Sequence, residues 1–359
     1  MYLQYIYVYN MNKVIKYLNN GDLYALSEFA VSIVNSRSVI MDCVLPNNRV
    51  QFFIKITFID NAHNDAPNNE IELNKEINKQ IIDANICDGF AQMIYSTTAT
   101  LKVLLTDEQF NTMHTAPSLN NFNKVDIAMF HLMLNIKFNI HTNKYHAMII
   151  ENCGTSFGKF YFSMNEFDIK YQVFKSVMFQ LIYSLYVLQQ KFPGFAHNDL
   201  FERNVTLKNL YIEHEYGITS NNNNAGVAVY KQYTIHNKNY YVPFYGLVPK
   251  IIDFEASEAP MLFTQTEQIK DLLSPRAYTK LNDILDFFRD MRMFDSNNPC
   301  YELINKLDTS KLHHCVTNLN VDISKAPSLL DMLNSSVFGF DNPISSMQES
   351  MIIKKFKLD

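Results

Sequence analysis

The chain has 359 residues, 47% of them apolar, with 31 basic and 36 acidic side chains and a net charge of −5. That balance excludes an intrinsically disordered chain, argues against nucleic acid as the main partner, and leaves room for one large or two modest domains. The five cysteines (Cys43, Cys87, Cys153, Cys300 and Cys315) form no CxxC pair, which argues for a reducing, cytoplasmic compartment, and no apolar run reaches the roughly 18 residues of a membrane span.

The first ten residues, MYLQYIYVYN, are aromatic but lack a basic leader and a small-residue cleavage site, so they do not read as a signal peptide. Residues 1–20 are set apart as an N-terminal appendage. Between 23 and 59, VIMDCVL and RVQFFIKITF are β-branched and aromatic and flank the turn signal PNN, which predicts strands. Residues 61–69 read as loop. EIELNKEINKQII then places Leu73, Ile77 and Ile81 on one helical face, with Glu72 and Glu76 a turn apart beside it. Residues 86–150 read as mixed strands and loops, ending in YHAMIIENCG.

The pattern then turns helical. FKSVMFQLIYSLYVLQQ puts Phe174, Val177, Met178, Leu181, Leu185 and Leu188 on one stripe, widened by Ile182 and Tyr186, which predicts a deeply buried helix. KFPGF ends it. Residues 208–249 hold an asparagine run and many tyrosines and read as an inserted surface excursion, a hairpin. VPKIIDFEAS is a buried strand ending on an acid, and 261–359 read as helices with polar connections.

Between the buried helix and the excursion, FAHNDLFERNVTL packs His197, Asp199 and Asn204 into eight residues. Upstream, Lys55 sits mid-strand in FFIKI. An ammonium on an apolar strand needs a counter-charge, and Glu76, favoured over Glu72, is the expected source. Taken singly, such a lysine is ordinarily a snorkelling surface residue and such a glutamate a solvated helix face. The His313–His314–Cys315 run does not make a metal site, because adjacent histidines point apart on a helix and no second cluster completes it.

Read in order, FFIKI, NKEIN, HNDLFERN and IIDFEAS resemble the strand lysine, helix glutamate, H-R-D-L-x-x-x-N and D-F-G motifs of the protein kinase-like phosphotransferases, over residues 24–290. The resemblance implies an α+β, bilobal protein kinase-like fold. Its small N-lobe, 21–151, would hold a five-stranded antiparallel sheet and one main helix. Its larger, mainly helical C-lobe would span 152–359, with ATP between the lobes. The resemblance further implies ATP and Mg2+ as cofactors. Lys55 would hold the α and β phosphates with Glu76 as its ion-pair partner, and backbone groups from Glu151 to Cys153 would bind adenine. Asn204 and Asp253 would hold the metal, and Asp199 would orient the acceptor hydroxyl. His197 would tie its loop to the strand before Asp253, and Asp283 would brace that loop. A protein serine or threonine is the implied substrate, for a monomer that engages neither nucleic acid nor membrane.

Several positions depart from the family pattern. YALSEFAVSIVNS carries no glycine where a glycine-rich phosphate loop is expected. Glu255 replaces the glycine of D-F-G. Asn198 replaces the arginine that reads a phosphate on the activation loop, which implies that phosphorylation there is not the on-switch. HND and DFE also resemble choline and ethanolamine kinases, whereas Lys55 leans towards protein kinases. The segment YTIHNKNYYVPFYGLVPK resembles the insert of divergent kinases of large DNA viruses, which would place the chain in a host cytoplasm or a virion. Phe201 stands where serine/threonine kinases carry lysine, and Arg203 resembles the tyrosine-kinase loop. A small-molecule kinase and a pseudokinase scaffold are the alternatives.

Overall fold

The structure, a computed structural model, describes residues 2–35, 38–44, 51–60, 66–102, 105–138, 141–163, 167–210, 229–263, 283–284, 287–288, 291, 328–341 and 349–358. It is a mixed α+β architecture of two compact units, Met1–Lys75 with Gln92–Asn152, and Glu76–Ala91 with Cys153–Asp359. Among the described residues no helix is long and apolar enough to cross a membrane.

The first unit is built on a five-stranded sheet. Its strands are β1 (Ala30–Asn35), β2 (Ser38–Val44), β3 (Gln51–Asp60), β4 (Met93–Thr100) and β5 (His141–Glu151), in the order β1-β2-β3-β5-β4, and every pairing is antiparallel. Alternation along β3 sends Phe52, Ile54, Ile56 and Phe58 to one face, opposite Cys43, Met41 and Val39 of β2 and Ile149, Ala147 and Tyr145 of β5. All are buried, so cross-strand contacts continue without a gap through three strands. The first twenty residues, set apart by sequence as an appendage, form helix α1 (Tyr2–Asn20). Its Met11, Val14 and Leu18, spaced 3 and 4 apart, are buried in the same core, and Tyr145 donates its hydroxyl to the Leu18 carbonyl.

This unit holds more than one main helix. Beside α3 (Ala66–Ile77) it contains α2 (Leu23–Ser27), α4 (Asp107–Thr115) and α5 (Lys124–Lys137), the last two within a stretch that reads as strands and loops from sequence. Local chemistry starts them. Thr106 accepts from the Gln109 amide while the Gln109 side chain accepts from Thr106 N–H, a reciprocal cap that satisfies two orphan donors. Asn123 caps α5 through the Asp126 amide. Phe110, Met113, Met129, Phe130 and Met133 then carry both helices into the core.

The second unit centres on α7 (Phe167–Lys191), in which every residue from Ser176 to Leu188 is buried. Around it lie α6 (Phe157–Ser163), α8 (Leu329–Leu333) and two three-stranded sheets. One joins β6 (Thr155–Ser156), β7 (Val205–Asn209) and β10 (Leu247–Ile251); the other joins β8 (Tyr230–Ile235), β9 (Lys238–Pro243) and β11 (Ile352–Leu358). The expected hairpin exists as β8–β9, turning at His236 and Asn237, both at positive φ as a tight two-residue turn requires. It is not a surface excursion: Tyr230, Tyr233, Ile235, Tyr240 and Val242 are buried, and Phe179 of α7 packs against Tyr233 and Tyr240. The asparagine run and His313–Cys315 lie outside the described residues.

The C-terminal stretch read as helical ends in strand β11, parallel to β8, with Phe356 stacked on Tyr233. Residues 76–91, assigned by sequence to the first half, pack here instead. Tyr183 donates to the Ile86 carbonyl, Lys250 donates to the Phe90 carbonyl, and Lys231 pairs with Asp88. Cys43, Cys87 and Cys153 are buried.

Candidate active site

Lys55 lies at the centre of the first unit's sheet, between Ile40 on β2 and Met148 on β5. It points to the face opposite the Phe52–Phe58 core, yet remains only 8% exposed. Its ammonium donates to both carboxylate oxygens of Glu70, each at 2.9 Å, and Glu70 is 1% exposed. The counter-charge therefore comes from α3, as expected, but from Glu70 and not from Glu76. Helical spacing explains the correction. Glu70, Leu73, Asn74 and Ile77 share one buried face, whereas Glu76 is turned away, pairing with Lys79 and accepting from Gln80. An acid on the apolar stripe was the available signal, since Glu70 is one turn before Leu73. Asn74 donates to the Glu70 carbonyl and steadies that turn.

In the second unit α7 ends at Lys191, Gly194 turns the chain at φ 87°, and residues 196–204 form the loop with the HND sequence. Asp283 accepts from the backbone amides of His197 (2.8 Å) and Asn198 (2.9 Å), which is the bracing contact implied by the resemblance. His197, fully buried, directs Nε2 at the Ile252 carbonyl at 3.0 Å, and the Ile252 amide donates to the Asn204 carbonyl at 3.0 Å. One residue thus has its amide and its carbonyl held by opposite ends of the loop. This double tie holds both ends of the loop that carries Asp199 and Asn204 to Ile252, the residue before Asp253.

Within the loop, Asp199 is held on both oxygens. Arg203 donates to Oδ1 and Asn204 Nδ2 to Oδ2, each at 2.8 Å, and Asn204 Nδ2 also reaches the Asp199 carbonyl. The Arg203 guanidinium stacks over Phe201 at 4.6 Å. Glu202 accepts from the Gly158 amide at the start of α6.

The oxygen donors fit a hard divalent cation. Asn204 is 5% exposed and spends its side-chain nitrogen on Asp199; its Oδ1 accepts no hydrogen bond among the described residues. The carboxylates of Asp253 and Glu255 bring oxygens within 4.8 Å of each other. Carboxylate oxygens are the donors a hard cation such as magnesium takes, and this pair has neither thiol nor imidazole between them. Of the backbone groups expected to face adenine, the Glu151 amide is committed to the Gln92 carbonyl at 2.9 Å, and its carboxylate accepts from the Gln92 amide. Cys153 is 2% exposed. Of the segment YALSEFAVSIVNS, where a glycine-rich loop would be expected, residues 24–27 lie in helix α2 and residues 30–35 form strand β1.

No protein-family model matches this chain. Over 166 residues it is 27% identical to a putative serine/threonine-protein kinase of Acanthamoeba polyphaga mimivirus, a match covering 44% of this chain and 37% of that protein. The chain thus spans well under half the length of that viral relative, to which it is distantly homologous.

Proposed function

We propose that this protein is a magnesium-dependent phosphotransferase of protein kinase-like fold that moves the γ-phosphoryl group of ATP to a protein serine or threonine hydroxyl. The observation that carries this reading is the double tie at Ile252, which holds both ends of the 197–204 loop to the residue that precedes Asp253. The buried Lys55–Glu70 pair and the distant viral relative support it. Phosphoryl transfer asks a protein mainly for positioning and charge neutralisation. Lys55, oriented by Glu70, would contact the α and β phosphates. Asn204 and Asp253 would hold the cation, which neutralises the charge developing on the phosphates. Asp199, aligned by Arg203 and Asn204, would orient the acceptor hydroxyl.

A second reading, a small-alcohol kinase, is favoured by Asn198 and Glu255, the two positions that resemble choline and ethanolamine kinases. One experiment separates the two. Purified protein is incubated with labelled ATP and Mg2+, and with either casein and a basic protein or choline and ethanolamine. Label on protein is the expected result, and label only on the small alcohol selects the second reading. Absence of transfer in both arms removes the enzymatic proposal. In Asp253→Ala transfer should fall to background while the fold is kept.

A further inference from the structure

Two consecutive side chains of the 196–204 loop bracket Asp253. His197 binds the Ile252 carbonyl on one side, and Asn198 Nδ2 donates to the Ala256 carbonyl at 3.1 Å on the other. Between those carbonyls Asp253 is left-handed, at φ 65° and ψ 68°. A residue with a Cβ adopts that conformation at a cost of roughly 1–2 kcal/mol and keeps it only where its surroundings over-determine it. Asn198 is itself left-handed, at φ 64°, a conformation asparagine tolerates better than most residues. Its backbone amide is fixed by Asp283, so its side chain starts from an anchored point. Just beyond the turn, Ala196 and Glu258 exchange two backbone hydrogen bonds, at 3.0 and 2.8 Å.

We propose that Asn198 is a positioning residue for Asp253: its side-chain amide locks the 253–256 turn and so aims the Asp253 carboxylate. The link joins an amide to a carbonyl and needs no phosphate, so the turn is aligned in the unmodified chain. The consequence for cation binding rests on the phosphotransferase reading; the conformational claim does not.

The test compares the wild-type full chain with Asn198→Gly, which keeps the left-handed backbone free of strain and deletes only the side-chain hydrogen bond. Asn198→Asp, which offers an acceptor to a carbonyl, is the second variant. In ligand-free protein, amide hydrogen exchange over 253–258 should rise about fivefold in both, the size set by one neutral hydrogen bond, with α7 unchanged. Half-saturation by Mn2+, followed by thermal shift, should move upward by a similar factor. Unchanged exchange over 253–258, or faster exchange spread through α7, overturns the proposal. Local loosening with an unmoved Mn2+ response also overturns it, because Asn198 would then not aim Asp253. Local loosening in both variants, with a wild type that gives no response to Mn2+ or Mg·ATP, instead removes the phosphotransferase reading and leaves the lock standing.

Discussion

Lys55 carries a charge into a strand whose other residues from Phe52 to Ile59 are apolar or hydroxylic, and Glu70 answers it with both oxygens. Removing one member of a buried pair strands the other, at a cost of about 3–5 kcal/mol. Glu70→Ala should therefore lower stability by about that much in urea unfolding. Glu76→Ala, on a partly exposed side chain, should stay within about 0.5 kcal/mol, and equal effects would mean the pair is not formed as described. Asp42 on β2 is the opposite case. Its Oδ1 is buried without a hydrogen-bond partner among the described residues, and burial raises its pKa above the ordinary 3.8. The native state thus holds this proton more tightly than the unfolded chain does. The resulting stability is fully present below 3.8 and is lost as pH rises through the native value. Asp42→Asn should raise the melting temperature at pH 7, and the gain should shrink towards pH 3.5, a comparison made by calorimetry at the two pH values.

Strand β11 is the element whose removal should be felt most widely in the second unit. Phe356, 1% exposed, stacks on Tyr233 with ring centroids 5.1 Å apart. Nearby, the Lys231 ammonium lies 3.0 Å from both Asp88 Oδ2 and Gln180 Oε1, and Lys354 of β11 reaches the same carboxylate at 3.6 Å. Burial pushes the Lys231 pKa down against the pull of Asp88. Burial acts to raise Asp88, but the ammonium groups of Lys231, Lys354 and Lys250 outweigh it and hold that carboxyl below its usual range. Burial also pushes the adjacent Cys87 thiol up to about 11, so it remains protonated and unreactive at neutral pH. Phe356→Ala would leave a cavity against Tyr233, costing about 3–5 kcal/mol, and urea unfolding followed by tyrosine fluorescence would register it.

At the scale of the molecule, ligand linkage offers the most direct check on the proposed activity. A ligand bound by the native state alone stabilises it by about 2.7 kcal/mol when present at 100 times its dissociation constant. Mg·ATP should accordingly raise the melting temperature of the wild-type chain. Lys55→Ala and Asp253→Ala should each lose most of that rise, whereas Phe356→Ala should lower the baseline and preserve it. A rise that survives in Asp253→Ala would remove the cation role given to that carboxylate.

Much of this was written locally in the chain. Alternation in VIMDCVL and QFFIKITF and the apolar stripe of α7 rest on short-range periodicity, and the HND and DFE runs on a resemblance in a few adjacent residues, so they can be read without knowing what packs on what. The capping pattern at Thr106–Gln109 was equally local, and reading 86–150 as strands and loops passed over it. Other features belong to tertiary structure alone. Which of three helix acids meets Lys55 depends on the rotation of α3 about its axis, and burial of its Leu73–Ile77 face sets that rotation. Whether IIKKFKL becomes a strand depends on β8, more than a hundred residues earlier, offering an open edge and an aromatic ring. Residues 76–91 join the second unit because Lys231, Tyr183 and Lys250 supply partners for their charges and carbonyls. Sequence determines which groups need a partner, and only the folded chain, by bringing distant segments together, determines which partner each receives.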